Sequence, residues 1–468
     1  MMRMRFGMKL SVLAVSALIV GAGAVSADTL RQALTKAYNN SGLLEQNRAV
    51  LRAANEDVAQ AVTTLRPVFN WSAGITHNFG RSLSPGTGAL VNTDSTSRSL
   101  ALSAEMTIYD GGSNKFAIEA AKETVLATRQ SLISVEQNVL LDAVQAYMDV
   151  RRETETVALM QNNLRVIQEE LRAAQDRFDV GEVTKTDVAL AEARFASSLA
   201  QLEAAKGALQ QAKARYMQAV GVTANGLSTP PSLPKLPGSV AAAQSVAVRN
   251  HPAMRQIQHT IKAADLNIAR AKTASGPTAT IGGSYGIAST NSSKATEPGS
   301  ISLNIRGPIY TGGNIPSVIR KSQAQKEAQV ANLHVSKRQI EQATATSYAL
   351  LDMARASRKA TEEQIRASQV AFDGTKEEAT LGARTTLDVL NAEQDLLNAK
   401  ASLISALADE QVAAYRLLAQ MGQLTVDHLN LPVQKYDLAA YYNHVKNAPA
   451  ASDQGKALDR VLEALGQK

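Results

Sequence analysis

The residues whose spacing carries the most chemistry are two acids, each set six places after a glycine. The run Gly181-x-x-Thr184-x-x-Asp187-Val188-x-x-Ala191-Glu192 returns 201 positions later as Gly382-x-x-Thr385-x-x-Asp388-Val389-x-x-Ala392-Glu393. A glycine can reverse the chain, and an acid shortly after it suits the start of a helix, where negative charge is favoured. No catalytic set surrounds either acid. His77, His251, His259, His334, His428 and His444 are scattered, and His251 and His259 stand eight apart rather than at the three or four that share a helix face. No nucleophile motif, phosphate-cradling glycine loop or zinc-hydrolase signature occurs. The carboxylates Glu45, Asp57, Glu153 and Glu155 read as ordinary charges on helices. With no cysteine, disulfides, thiolate metal sites and lipid attachment through an N-terminal cysteine are excluded. The residues call for no enzyme, no metal and no cofactor.

The elements that must hold the two acids are written twice. Ala33, Ala37 and Asn40 precede a helical run to Pro67, and Ala243, Ala247 and Asn250 stand 210 positions later before a run to Pro277. Ile108-Tyr109-Asp110-Gly111-Gly112 is echoed by Ile309-Tyr310-Thr311-Gly312-Gly313 at a spacing of 201, and Gly221 by Gly422 at the same spacing. Two spacings imply a nine-residue length difference between the Pro67 and Gly111 regions, where a surface loop tolerates it best. Such self-similarity is a duplication. Each copy has the order helix, strand hairpin, very long helix, tight turn, helix.

The expected organisation is a secretory signal over residues 1–27, a first repeat over 28–220 with a hairpin at 68–109, a Pro-rich linker at 221–240, a second repeat over 241–422 with a hairpin at 278–309, and a C-terminal segment over 423–468 that ends in a flexible tail. The signal reading rests on Arg3, Arg5 and Lys9, the apolar run from Leu10 to Val20, and small residues at Val25 and Ala27 that suit cleavage before Asp28. No later stretch approaches the roughly 20 apolar residues of a membrane helix. The net charge of +7 falls to +4 once the three basic residues of the signal leave. Export and interspersed charges argue against nucleic acid as a partner.

Aromatic residues are 4% of the chain and alanine is abundant, which suits closely packed helices better than large globular cores. Proline-free runs from about Ser113 to Phe178 and from about Ser317 to Thr380 would each reach on the order of 100 Å as helix. The returning helices carry a coiled-coil seam. Val188, Phe195, Leu202, Leu209 and Tyr216 recur every seven residues, each followed three places on by Ala191, Ser198, Ala205, Ala212 and Ala219. The second copy repeats it with Val389, Leu396, Leu403, Glu410 and Leu417, where Glu410 is a polar layer, a lumen-facing residue or a local rotation of the seam. Leu100, Leu102, Ala104, Met106 and Ile108 alternate with polar residues, as in a strand between lipid and a wet lumen or in a half-buried sheet. Trp71 fits an interfacial aromatic or a packing residue. Four such strands cannot close a barrel alone, so membrane strands would require several copies.

The doubled glycine–acid motif, the Tyr-x-Gly-Gly turns and Tyr436-Asp437-Leu438 together resemble the TolC-type outer membrane efflux and type I secretion channels, over about Asp28 to Val445. The resemblance implies a mainly α fold with a small membrane β-barrel portion: a trimer in which each protomer gives four strands to a 12-stranded barrel and long coiled-coil helices to a 12-helix periplasmic barrel. It implies an exit duct in the outer membrane, a periplasmic adaptor, an inner-membrane ABC or proton-driven transporter, and contact with outer-membrane lipid. It also implies that Val180, Gly181, Glu182, Leu381, Gly382 and Ala383 are tips that meet the adaptor. Asp388 matches the first of two aspartate rings at a closed entrance, and Asn391 replaces the second. Such rings select cations and make a constriction sensitive to pH. Arg384 matches an arginine that ties the inner coiled coil to its neighbour and Asp187 its acidic partner, while Ala379 replaces a tyrosine of that network. The competing reading is a periplasmic coiled-coil adaptor or scaffold without a pore.

Overall fold

The computed structural model describes residues 28–84, 86, 88–291, 293–449, 456 and 460. The signal reading at 1–27 and most of the C-terminal tail lie outside them. The chain is mainly α-helical with one small sheet. The first copy runs α1 (Leu30–Asn40), α2 (Gly42–Thr63), β1 (Val68–Leu83), β2 (Leu90–Tyr109), α3 (Ser113–Asp179) and α4 (Lys185–Val220). The second runs α5 (Val240–Asn250), α6 (Pro252–Thr273), β3 (Thr278–Thr290), β4 (Ser293–Thr296), β5 (Gly299–Arg306), α7 (Asn314–Thr380) and α8 (Thr386–Gln420), followed by the short α9 (Ala440–Val445).

Three differences from the sequence reading have local causes. The first helix of each copy is broken in two. Ser41 caps α2 through its side chain, and His251 is held extended by Pro252, which disfavours helical backbone in the residue before it. The outer strand of the second hairpin is interrupted at Glu297-Pro298 and ends at Arg306. Helix α7 begins at Asn314, ahead of Pro316, because a proline in the first turn forfeits no intrahelical bond.

Helices α3 and α7 each have 67 residues, roughly 100 Å of helix. Against α3 lie α2, α4, α6 and α8, and α8 lies along α7. Within α4 the seam positions Ala191, Ser198, Leu202, Ala205, Ala212 and Tyr216 are buried and the remaining four are half-buried. In α8 Glu410 is a polar layer, only 7% exposed, with its Oε2 accepting from Arg358 Nε at 2.8 Å and Arg355 lying 3.7 Å from Oε1. Among the described residues no helix is long and apolar enough to cross a membrane.

The main core lies around the middle of the rod, where distant parts of the chain meet. Asp28 pairs with Leu227 in a parallel bridge, and Tyr147 donates its hydroxyl to Ser228 O at 2.6 Å. Val426 N donates to Glu136 Oε1 at 2.7 Å, and Arg31 donates to Asn430 O. Beyond this belt the chain climbs back along α2. Val445 and Ala448 pack on Ala59, Tyr441 donates to Glu56, and Arg66 donates to the carbonyls of Asn447 and Ala448.

The sheet has the order β1-β2-β3, with β5 and β4 both on the far side of β3, and every pairing is antiparallel. Register places Phe69, Trp71, Ala73, Leu100, Leu102, Ala104, Tyr285, Ile287, Ile301 and their alternates on one face. Asn70, Ser72, Ser99, Ser103, Ser284, Ser300 and Ser302 take the other. Neither face is covered within the chain: Trp71 is 73% and Ile301 88% exposed.

A candidate gate at the turn end of the rod

Each long helix ends on a glycine for a backbone reason. Gly181 and Gly382 have φ of +82° and +75°, in the left-handed region that side chains resist. The following amides reach back to close the helix, Glu182 N to Arg177 O and Ala383 N to Glu378 O, both at 2.9 Å. Val180, Gly181, Glu182, Leu381, Gly382 and Ala383 are all exposed, and Leu381 is 85% uncovered. The two tips are thus short exposed turns, crowned by Val180 in the first and Leu381 in the second.

The acids start the returning helices in identical ways. Asp388 Oδ2 accepts from Thr385 N at 3.0 Å and Thr385 Oγ1 at 2.8 Å, while Asp388 N donates back to Thr385 Oγ1 at 3.2 Å. Asp187 and Thr184 make the same capping box, with Asp187 Oδ2 accepting from Thr184 N at 2.9 Å and Oγ1 at 2.7 Å. For Asp388 the Thr385 amide and hydroxyl bonds, helped by Arg384, hold the carboxyl below its ordinary value of 3.8. For Asp187 the Thr184 hydroxyl and amide do the same. A depressed carboxyl pKa stabilises the fold above the ordinary value and loses that contribution as pH falls through the lowered one. Both charges therefore persist at neutral pH and well into mild acid.

Within one chain Arg384 Nε donates to Glu378 Oε2 at 2.8 Å, so its intrachain partner is an acid six residues earlier, at the end of α7. Asp187 keeps its carboxylate on Thr184. Asn391, exposed on α8, accepts from Arg194 Nη2 of α4 at 2.9 Å. Lys376 Nζ of α7 reaches Glu170 Oε1 of α3 at 3.0 Å. Two polar links thus join the α3–α4 pair to the α7–α8 pair just behind the tips. The sequence reading placed Thr184 and Thr385 in the motif without a role, and passed over Arg194, Glu378 and Glu170. The Thr-x-x-Asp spacing was a legible signal for the caps; cross-helix partners have none in a single sequence. Among the described residues no group of three or more histidines and acids could hold a metal ion.

Comparison with known proteins fits this geometry. A family model described as "Outer membrane efflux protein" matches residues 33–222 and 244–423. The chain is 36% identical over 442 residues to the outer membrane efflux protein BepC of Brucella suis, covering 93% of this chain and 94% of that one. It is 24% identical over 421 residues to the outer membrane protein TolC of Escherichia coli, covering 86% and 84%. Its fold matches the Campylobacter jejuni CmeC outer membrane channel with a TM-score of 0.74 at 16% identity, covering 90% of each chain. A family model that matches most of both copies and a relative 36% identical over nearly the whole length settle the kinship: the chain belongs to the outer membrane efflux protein family.

Proposed function

We propose that three copies of this chain close a 12-stranded barrel in the outer membrane, continued by twelve periplasmic helices, and that the tip end is the gate. Family membership makes the chain an outer-membrane exit duct with a long periplasmic helical part, and not an enzyme. The observation that supports closure between copies is the sheet, and the number three follows from the family resemblance. The sheet has one face that is apolar from Phe69 to Ile75 and from Leu100 to Ile108, one polar face and two free edges, and the edges and polar face are intolerable in lipid until neighbouring copies pair β1 with β5 and enclose the polar side. The apolar alternation from Leu100 to Ile108 has the nine residues of a membrane strand. Trp71, on that face, then meets lipid rather than a packed core.

The repeat division at 28–220 and 241–422, the linker at 221–240, a 423–468 tail segment and a cleaved signal at 1–27 complete the reading. Asp388 supplies one ring of charge at the entrance and Asn391 an amide ring, so cations are held there less strongly than by two acid rings. Arg384 and Asp187 form a clasp between neighbouring copies, with Glu378 the partner of Arg384 inside its own chain. The exposed turns around Gly181 and Gly382 are the surface for a periplasmic adaptor. An inner-membrane ABC or proton-driven transporter supplies the energy, as the family resemblance implies.

Purified protein in planar bilayers, with the mass of its detergent complex measured in parallel, tests this. Stepwise conductance from a particle of three chains is expected. A monodisperse monomer without conductance would return the chain to a periplasmic scaffold.

A further inference from the structure

Just behind the tips a carboxyl group is buried in the groove between the two coiled coils of one chain. Glu393, on α8, is 7% exposed, and its Oε2 finds no hydrogen-bond partner among the described residues. It lines a crevice of about 120 Å³ walled by Asn162 and Asn163 of α3, Gln369 and Phe372 of α7, and Lys400 of α8. Glu192, its equivalent in the first copy, is exposed. The motif therefore does not demand a buried acid; burial arises because the second coiled coil packs its α8 onto α3.

The groove is pinned by the two cross-links already described, Lys376 to Glu170 and Arg194 to Asn391. These residues also account for the charges around Glu393. From α3 Glu170 opposes its ionisation, and from α7 Lys376 favours it. Lys400, on its own helix, lies with Nζ 3.5 Å from Gln369 Oε1, and Arg194 of α4 is engaged by Asn391. A buried carboxyl without a partner is tolerated best when neutral. Burial first, and then Glu170, pushes Glu393 up to about 7, with Lys376 opposing.

We propose that Glu393 is a positioning residue of the gate, whose neutral form seats the second coiled coil against the first and whose ionised form, facing Glu170, drives the groove apart and carries Asp388 outward. The sign follows from an acid whose pKa is raised in the packed state. Packing is fully supported below the ordinary value of 4.5 and weakens as pH rises through about 7. Asp388 cannot supply this response, because its own titration lies in acid. The inference rests on the tip end being the gate.

The absence of native cysteine allows a clean test. Spin labels at Glu182→Cys and Ala383→Cys, in assemblies diluted with unlabelled full-length chain, report the separation of the two tips of one protomer. Between about pH 6 and about pH 8, roughly a unit either side of the transition, the distance and the single-channel conductance should both rise. Glu393→Gln, neutral throughout and of the same shape, should hold the short distance and flatten both profiles; Glu170→Gln, which removes a charge that opposes ionisation, should move the transition to lower pH. A tip distance that ignores pH, or an identical profile in Glu393→Gln, overturns the proposal. A distance that follows pH in the parent but not in Glu393→Gln, with conductance constant, upholds the positioning role and removes the gate from this end.

Discussion

Asn391 is one turn along α8 from Asp388 and is already engaged by Arg194. Its amide can accept that bond but adds no charge to an entrance ring. Asn391→Asp should therefore strengthen cation block in planar bilayers, by less than a free second ring would because Arg194 offsets part of the new charge. Equal block in the two proteins would remove the ring assignment. The same residues mark how far a single sequence reaches. Gly181, Gly382, Asp187 and Asp388 were visible because local backbone chemistry and a doubled spacing both point to them. Arg194 and Glu170 were not, since their partners lie on other helices, and Glu393 stood in the motif without any sign of its burial, because the exposed Glu192 occupies the same motif position.

Among the elements, glycines of similar backbone shape differ in what surrounds them. Gly382 has open space where a Cβ would stand, whereas at Gly422 a Cβ would sit 2.8 Å from Asn250 O. Gly382→Ala should thus bear only the strain of its positive φ, about 1–3 kcal/mol. Gly422→Ala should lose clearly more, read as a larger fall in thermal midpoint. If the two variants melt alike, the close approach at the belt carries no weight. The polar layer in α8 offers a second comparison. Arg358→Met strips Glu410 of its 2.8 Å partner and should destabilise by up to about 3–5 kcal/mol, tempered by Arg355, while the double variant with Glu410→Leu should recover most of the loss. Denaturant midpoints decide it; no recovery in the double variant would mean that the layer is not an isolated pair. The heptad seam was legible to the residue because it repeats every seven positions. The helix breaks at Ser41 and His251 were missed because hydrophobic spacing runs through both, although Pro252 held the clue.

At the scale of the whole molecule, the two sheet faces make opposite demands. Ile301→Lys puts a charge on the apolar face and should hinder stable insertion into lipid vesicles, by about 2–4 kcal/mol near the bilayer midplane. Ser302→Lys, one residue along β5 and on the other face, should insert normally and alter conductance instead. Equal insertion of both would mean that the apolar face does not meet lipid. The alternation behind this prediction could be read from Leu100 to Ile108 alone. Which edge strands remain free emerged only from the pairing of all five.

The return of the chain onto α2 also sets a schedule. The α3–α4 and α7–α8 pairs join segments that follow one another in the chain and can zip up early from their turns. Arg66 bonds to Ala448 across 382 positions, and Arg31 to Asn430 across 399. Contacts that span so much chain form late, because the ends of a long loop must meet before any bond rewards them. A chain arriving from the inner membrane in sequence order thus has helices before it has a finished belt. The belt is therefore expected to close only once the residues near Asn430 and Ala448 are present.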